Sequence, residues 1–254
     1  MASVKSPIRL SRGVWILLKK ELADLFFSPL LYVLAALFSF IMGWLFFNYL
    51  MQSKTATTQT LTPAVVVPLF GNMNFIFIFL VPLLTMNTFS LEKKNGTLDL
   101  LFRSKLSDLE IILGKFVSQV FVVIFLLAFS LIFMLVLSST NFQEWSLVMT
   151  SYLGVLFSIM CYLAVGMFMS SLTDNPIISS VLTFCFLMGL MLLVLSTNAM
   201  ENQFFAEMIQ YLAVPFHYEG FVKGLVRSYS LVYFGSFIGF FLYLTWRSLQ
   251  RRKW

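Results

Sequence analysis

Residues 116–138 read FVSQVFVVIFLLAFSLIFMLVLS, twenty-three positions without one charged side chain. A helix rises about 1.5 Å per residue, and about 20 mostly apolar residues cover the roughly 30 Å hydrocarbon core of a bilayer. In lipid every backbone N–H and C=O must be paired inside the chain, which a helix does locally. Five further segments meet or approach that length: 29–50, 69–91, 147–170, 177–196 and 229–246. The expectation is an all-α integral membrane protein with six transmembrane helices, forming a single domain over 1–254.

The rest of the composition agrees. Of 254 residues, 59% are hydrophobic and 11% charged, against about 25% charged in soluble domains. So few charges cannot coat a water-soluble particle. Disordered, collagen-like, disulfide-rich secreted and soluble enzyme classes are excluded. Cys161 and Cys185 both fall in apolar runs and read as small hydrophobes rather than a disulfide framework. The first 28 residues are basic and amphipathic and do not read as a cleavable signal peptide.

The net charge of +6 is one of position. Fourteen of the 17 Lys and Arg lie in the first 28 residues, in the connector after the second span, or in the tail; Lys54, Lys223 and Arg227 lie in the opposite connectors. The positive-inside rule then places both termini of this multi-pass chain in the cytoplasm. The excess is topology, and nucleic acid is not an expected partner.

Residues 12–27 carry Val14, Trp15, Leu18, Leu22, Leu25 and Phe26 on one helical face, with Arg12, Lys19, Lys20 and Asp24 towards the other. Such a helix is expected to lie in the membrane interface, its apolar side against the acyl boundary and its cations near lipid headgroups. Trp15, Lys19, Lys20 and Glu21 are its candidate residues, either as a plain membrane anchor or as a contact for a partner.

Between the second and third spans, residues 91–101 read LEKKNGTLDLL and 103–116 read RSKLSDLEIILGKF. Asn95-Gly96 signals a turn. Ser107 followed by Glu110 is a capping box that opens the third span. Leu98, Leu101 and Phe102 share an apolar face. This stretch resembles the cytoplasmic signature of ABC-2-type transporter permeases, approximately E-E-x-x-G-T-L-E-x-L-L, then P-[VI]-S and I-x-L-G-K. Glu92, Gly96, Thr97, Leu98, Asp99, Leu100 and Leu101 match its first part, Ser107 the serine, and Gly114-Lys115 the last element. Lys105 stands where the family often has proline, so the bend there is made differently.

Two further strings are similar to the gliding-motility subgroup of these permeases, in which S-S-L-T-x-N-Q and F-H-x-x-x-F-x-x-G recur. They are Ser170-Ser171-Leu172-Thr173-Asp174-Asn175 and Phe216-His217 through Phe221 to Gly224. Pro176 replaces the usual glutamine, and Arg227 falls where an acidic residue is common.

The resemblance implies a permease subunit of an exporter in the bacterial inner (plasma) membrane, paired with a second permease as a homo- or heterodimer. Two copies of an ABC ATPase would dock on the 92–106 elbow, which resembles a coupling helix. ATP and Mg would sit on that partner, since this chain has no G-x-x-x-x-G-K-[ST] and no cofactor of its own. Glu92 is expected to fix the elbow, Gly96 to allow its turn, and Thr97, Leu98, Leu101 and Phe102 to present the docking surface. Asp174 and Asn175 form either a plain connector or a second ATPase contact. A non-transporting anchor that conveys ATPase-driven force to envelope proteins is the alternative.

The connector 197–228 is amphipathic, with Phe204, Phe205, Met208, Ile209, Tyr211 and Leu212 set against Glu201, Glu207 and Gln210. It resembles the family's re-entrant helices. His217, Glu219 and Phe221 are then an outer gate or a dock for a periplasmic auxiliary subunit; the plainer reading is an interfacial hairpin facing headgroups. Gly235 and Gly239 form a small-xxx-small pair for close helix packing, within the subunit or at a dimer contact. With one histidine and no pair of carboxylates inside the apolar runs, neither a His-based metal cluster, nor a catalytic residue, nor a proton-coupled carrier is expected.

Overall fold

The computed structural model describes residues 7–55, 62–98, 107–138, 144–197 and 203–251. The chain is helical in α1 (Pro7–Phe27), α2 (Pro29–Thr55), α3 (Val67–Thr85), α4 (Ser90–Lys94), α5 (Asp108–Ser138), α6 (Trp145–Leu172), α7 (Pro176–Thr197), α8 (Gln203–Leu212), α9 (Val214–Val222) and α10 (Ser228–Gln250). One π turn, Thr62–Val66, leads into α3. No strand occurs among the described residues. Among the described residues six helices are long and apolar enough to cross a membrane, as the sequence leads one to expect. Each runs past its expected bounds at one end or both; the third begins at Asp108 rather than 116 because the capping box starts it there.

Proline sets the first break. Pro29 has no N–H to donate and suits the first turn of a helix, so α1 ends at Phe27, Ser28 is left between, and α2 starts afresh. α6 is the hub: it packs against α3, α5, α7, α9 and α10. Two glycines let neighbours press onto it. A Cβ on Gly154 would meet Phe221 Cβ at 2.4 Å, and one on Gly166 would meet Thr85 Oγ1 at 2.2 Å. The two lie twelve residues apart and serve different partners.

Polar side chains join the spans without any charge at their centre. Tyr152 and Ser130 share a hydrogen bond of 2.8 Å, and Ser158 donates to Asn74 Oδ1 at 3.4 Å. Cys161 is buried as expected, but Cys185 is exposed on α7.

Among the described residues Gly235 and Gly239 pack against no other element. Outside their own stretch of helix, no described atom lies within 4 Å of a Cβ built on either one. α10 meets α6 through its opposite side, where Phe234, Phe241, Thr245 and Leu249 are buried. The glycine pair therefore faces outward, and the intramolecular reading of it is corrected.

Candidate functional site

At the end of the bundle that carries α1 and α4, a lysine joins three elements. Lys115, on the first turns of α5, is 2% exposed as a residue. Its Nζ lies 2.7 Å from Glu92 Oε1 on α4 and 3.0 Å from Glu21 Oε1 on α1. The same ammonium stands 5.5 Å from the centre of the Phe89 ring, a cation–π distance. A buried charge needs such partners, because desolvation penalises it strongly when alone. Gly114 beside it completes the fit: a Cβ there would come 2.9 Å from Leu17 Cδ2 of α1.

This seats α1 on protein. Leu17 and Leu18 are buried, and Phe26 meets Phe125 edge-on at 5.1 Å between centroids. The expectation that the whole apolar face meets the acyl boundary is thus corrected; Gly114 and Lys115 hold one side of it against α5. Trp15 stays exposed, with Lys19 Nζ 5.3 Å from its ring centre, and Lys20 is exposed.

The elbow is built as its residues dictate. α4 ends in a Schellman motif: Thr97 N–H donates to Glu92 O at 2.9 Å and Gly96 N–H to Lys93 O at 3.1 Å. Gly96 sits at the required left-handed φ of +69°. The start of α4 is capped by α6: Phe89 and Ser90 N–H donate to Ser170 Oγ at 3.0 and 3.2 Å. Ser171 O accepts both the Lys93 ammonium and, at 3.2 Å, the Ser248 hydroxyl of α10. The Ser170-Ser171 pair therefore ties the elbow to α6 and α10. Past the elbow, Ser107 and Glu110 close the capping box, Ser107 N–H donating to Glu110 Oε2 at 2.6 Å and Glu110 N–H to Ser107 Oγ at 3.3 Å.

Thr97 is exposed, while Leu98 turns inward at 5% exposure. Leu98 therefore anchors the elbow and does not offer its side chain as docking surface, a correction to its expected role. Leu101 and Phe102 lie outside the described residues. At the α6–α7 turn, Asp174 and Asn175 are exposed, and Asn175 Oδ1 accepts the Ile177 N–H at 3.0 Å, capping α7.

At the opposite end, α9 is inserted against α3, α6, α7 and α10. Tyr218 Oη donates to Phe70 O at 2.7 Å. His217 is buried, stacked on Tyr233 at 3.9 Å between centroids, with Nδ1 3.2 Å from Ser230 Oγ and Nε2 3.0 Å from Tyr211 O. Burial holds its imidazole below the ordinary pKa of 6.5, against the opposing effect of the hydrogen bond that Nε2–H donates to Tyr211 O. Phe221 is buried against Gly154. Of the three outer candidates only Glu219 reaches the surface, where it pairs with Lys223. His217 and Phe221 hold the connector in place and are not available as a dock. Among the described residues no three His, Cys, Asp or Glu are grouped to hold a metal.

The sequence model of the ABC-2 family transporter proteins matches residues 67–245. The chain belongs to that family. It is a multi-pass membrane protein and the transmembrane component of an ABC-2 transporter, not the catalytic one. The match ends short of α1, so the Glu21 arm of the triad lies outside the matched span of this ABC-2 permease, while Glu92 and Lys115 lie within it. No curated protein matches the chain.

Lys115 is the residue that sequence reasoning missed. It was legible as the final Lys of the permease signature, but it was counted only as a cation on the positive side. The signal was its place one turn inside an apolar run, where an unpaired lysine would not be tolerated.

Proposed function

We propose that this ABC-2 permease is the membrane subunit of an exporter in the bacterial inner membrane, driven by a separate ABC ATPase. The observation that carries the reading is the Glu21–Lys115–Glu92 triad, which binds the α1 helix, the elbow and the third span into one unit. The elbow end would be cytoplasmic, in keeping with the cation distribution. Two ATPase subunits would bind there, and two permeases, alike or different, would form the pathway between them. The gliding-motility strings around Ser170 and His217 favour that subgroup.

The chain's own residues supply a route for motion. A displacement of α4 moves Lys115 and α1 through the triad, and α6 through Ser170, while α3 bears on α6 where Thr85 meets Gly166. α6 in turn contacts α9 through Gly154 and Phe221. ATP binding below would thus reach the opposite mouth through the triad, Ser170 and the packed contacts of α6.

The test is co-purification with the ATP-binding chain, followed by nucleotide turnover in vesicles. Charged residues in place of Leu101 and Phe102 are expected to abolish stimulation. Unchanged assembly and turnover would overturn the coupling assignment. Turnover without movement of any substrate would instead support a force-conveying anchor.

A further inference from the structure

Between α3, α6, α7 and α9 lies a cavity of about 510 Å³, a size that accommodates small-molecule ligands. Its long wall is one face of α3, where Val67, Gly71, Asn74, Phe75 and Ile78 recur at helical spacing. At 1.5 Å per residue these eleven steps make a groove about 16 Å long. At its lower end α3 and α7 close, with the Phe79 and Phe184 rings 5.1 Å apart. Above that point there is room: among the described residues, nothing outside its own stretch of helix lies within 4 Å of a Cβ on Gly71.

The mouth has a different chemistry. Glu219 and Lys223, one turn apart on α9, are exposed, ion-paired and part of the cavity lining. The site thus has a long, mostly apolar wall, and at one end an anion beside a cation.

We propose that this groove holds one acyl chain of a phospholipid whose headgroup bears both a phosphate and an ammonium. Lys223 would meet the phosphate and Glu219 the ammonium, each as a charge-assisted pair. The length agrees: half of a roughly 30 Å hydrocarbon core is about 15 Å, and the groove runs along a membrane-spanning helix from the end of the bundle towards its middle. An anionic headgroup without an ammonium would compete with Glu219 for Lys223 and bring no cation in its place. The proposal does not depend on ATPase coupling, and its test needs no ATPase.

The experiment is native mass spectrometry of the full chain in mild detergent, incubated with phosphatidylethanolamine or phosphatidylglycerol. The expected result is one retained phosphatidylethanolamine per chain, preferred about tenfold, as one charge-assisted pair would give. Gly71→Phe fills the groove and loses the lipid at unchanged thermal stability; Gly71→Leu serves if the larger side chain hinders folding. Lys223→Gln lowers retention about tenfold. Retention by the folded groove-filling variant, equal binding of the two lipids, or no lipid on the native chain would each overturn it.

Discussion

Gly166 of α6 and Thr85 of α3 meet so closely that a Cβ on the glycine would lie 2.2 Å from the Thr85 hydroxyl oxygen and 2.8 Å from its Cβ. Thr85 cannot easily turn aside, since it is fully buried and its hydroxyl donates to Val81 O at 2.9 Å. Gly166→Ala is expected to cost about 1–3 kcal/mol by overpacking. Thermal unfolding in detergent measures it, and Thr85→Gly in the same chain should recover part of the loss.

Lys115→Met leaves Glu21 and Glu92 facing each other without their cation. Breaking a buried pair costs about 3–5 kcal/mol, and the two carboxylates, 14% and 19% exposed, place the loss towards the lower end. Adding Glu21→Gln and Glu92→Gln removes the stranded charges. The triple variant should regain stability, since a buried ion pair often adds little net free energy over apolar packing. It should still fail to convey ATPase stimulation, because the α1–α4–α5 tie is gone. Equal recovery of both would reduce the triad to packing.

Gly96→Ala tests the elbow alone. Among the described residues nothing beyond its chain neighbours crowds a Cβ on this glycine, so the left-handed backbone is what resists a side chain there. The expected cost is about 1–2 kcal/mol, felt as faster hydrogen exchange at the Gly96 and Thr97 amides. Gly96→Asn, which accepts this conformation more readily, should show less.

The pH response follows from His217, which lies outside the six membrane-spanning helices. Its folded pKa is lowered from 6.5 by burial, so the unfolded chain binds the proton first as the solution is acidified. Stability is complete above about pH 6.5 and falls as pH drops towards the lowered value. Unfolding temperatures measured from pH 7.5 downward should decline for the native chain and flatten for His217→Gln. Parallel curves would show that another group is responsible.

Six spans were legible because length and apolarity are local properties of residues such as 116–138. The elbow was legible where its own neighbours decide it: Gly96 from Asn95-Gly96, and the α5 start from Ser107 and Glu110. What escaped were relations across the fold. Gly154 and Gly166 looked unrelated to each other because their partners, Phe221 and Thr85, are distant in sequence. Gly235 and Gly239 have the spacing of a packing face, but which side of α10 meets α6 is set by Phe234 and Phe241 instead. Lys115 looked like one more flanking cation because Glu21 comes from a helix 94 residues earlier.

The α6 hub runs 28 residues without a proline, a rod of about 42 Å. A tilt of about 5° around its middle would carry each end roughly 2 Å in opposite directions, by that same length. The glycine seats lie nearer the middle, Gly154 about 7 Å and Gly166 about 11 Å from it, so the same tilt would press them against Phe221 and Thr85 by about 1 Å or less. In the proposed permease a swing of this rod would press on α3 at Thr85 and on α9 at Phe221, so a movement begun at one face of the bilayer would arrive, reversed in direction, at the other.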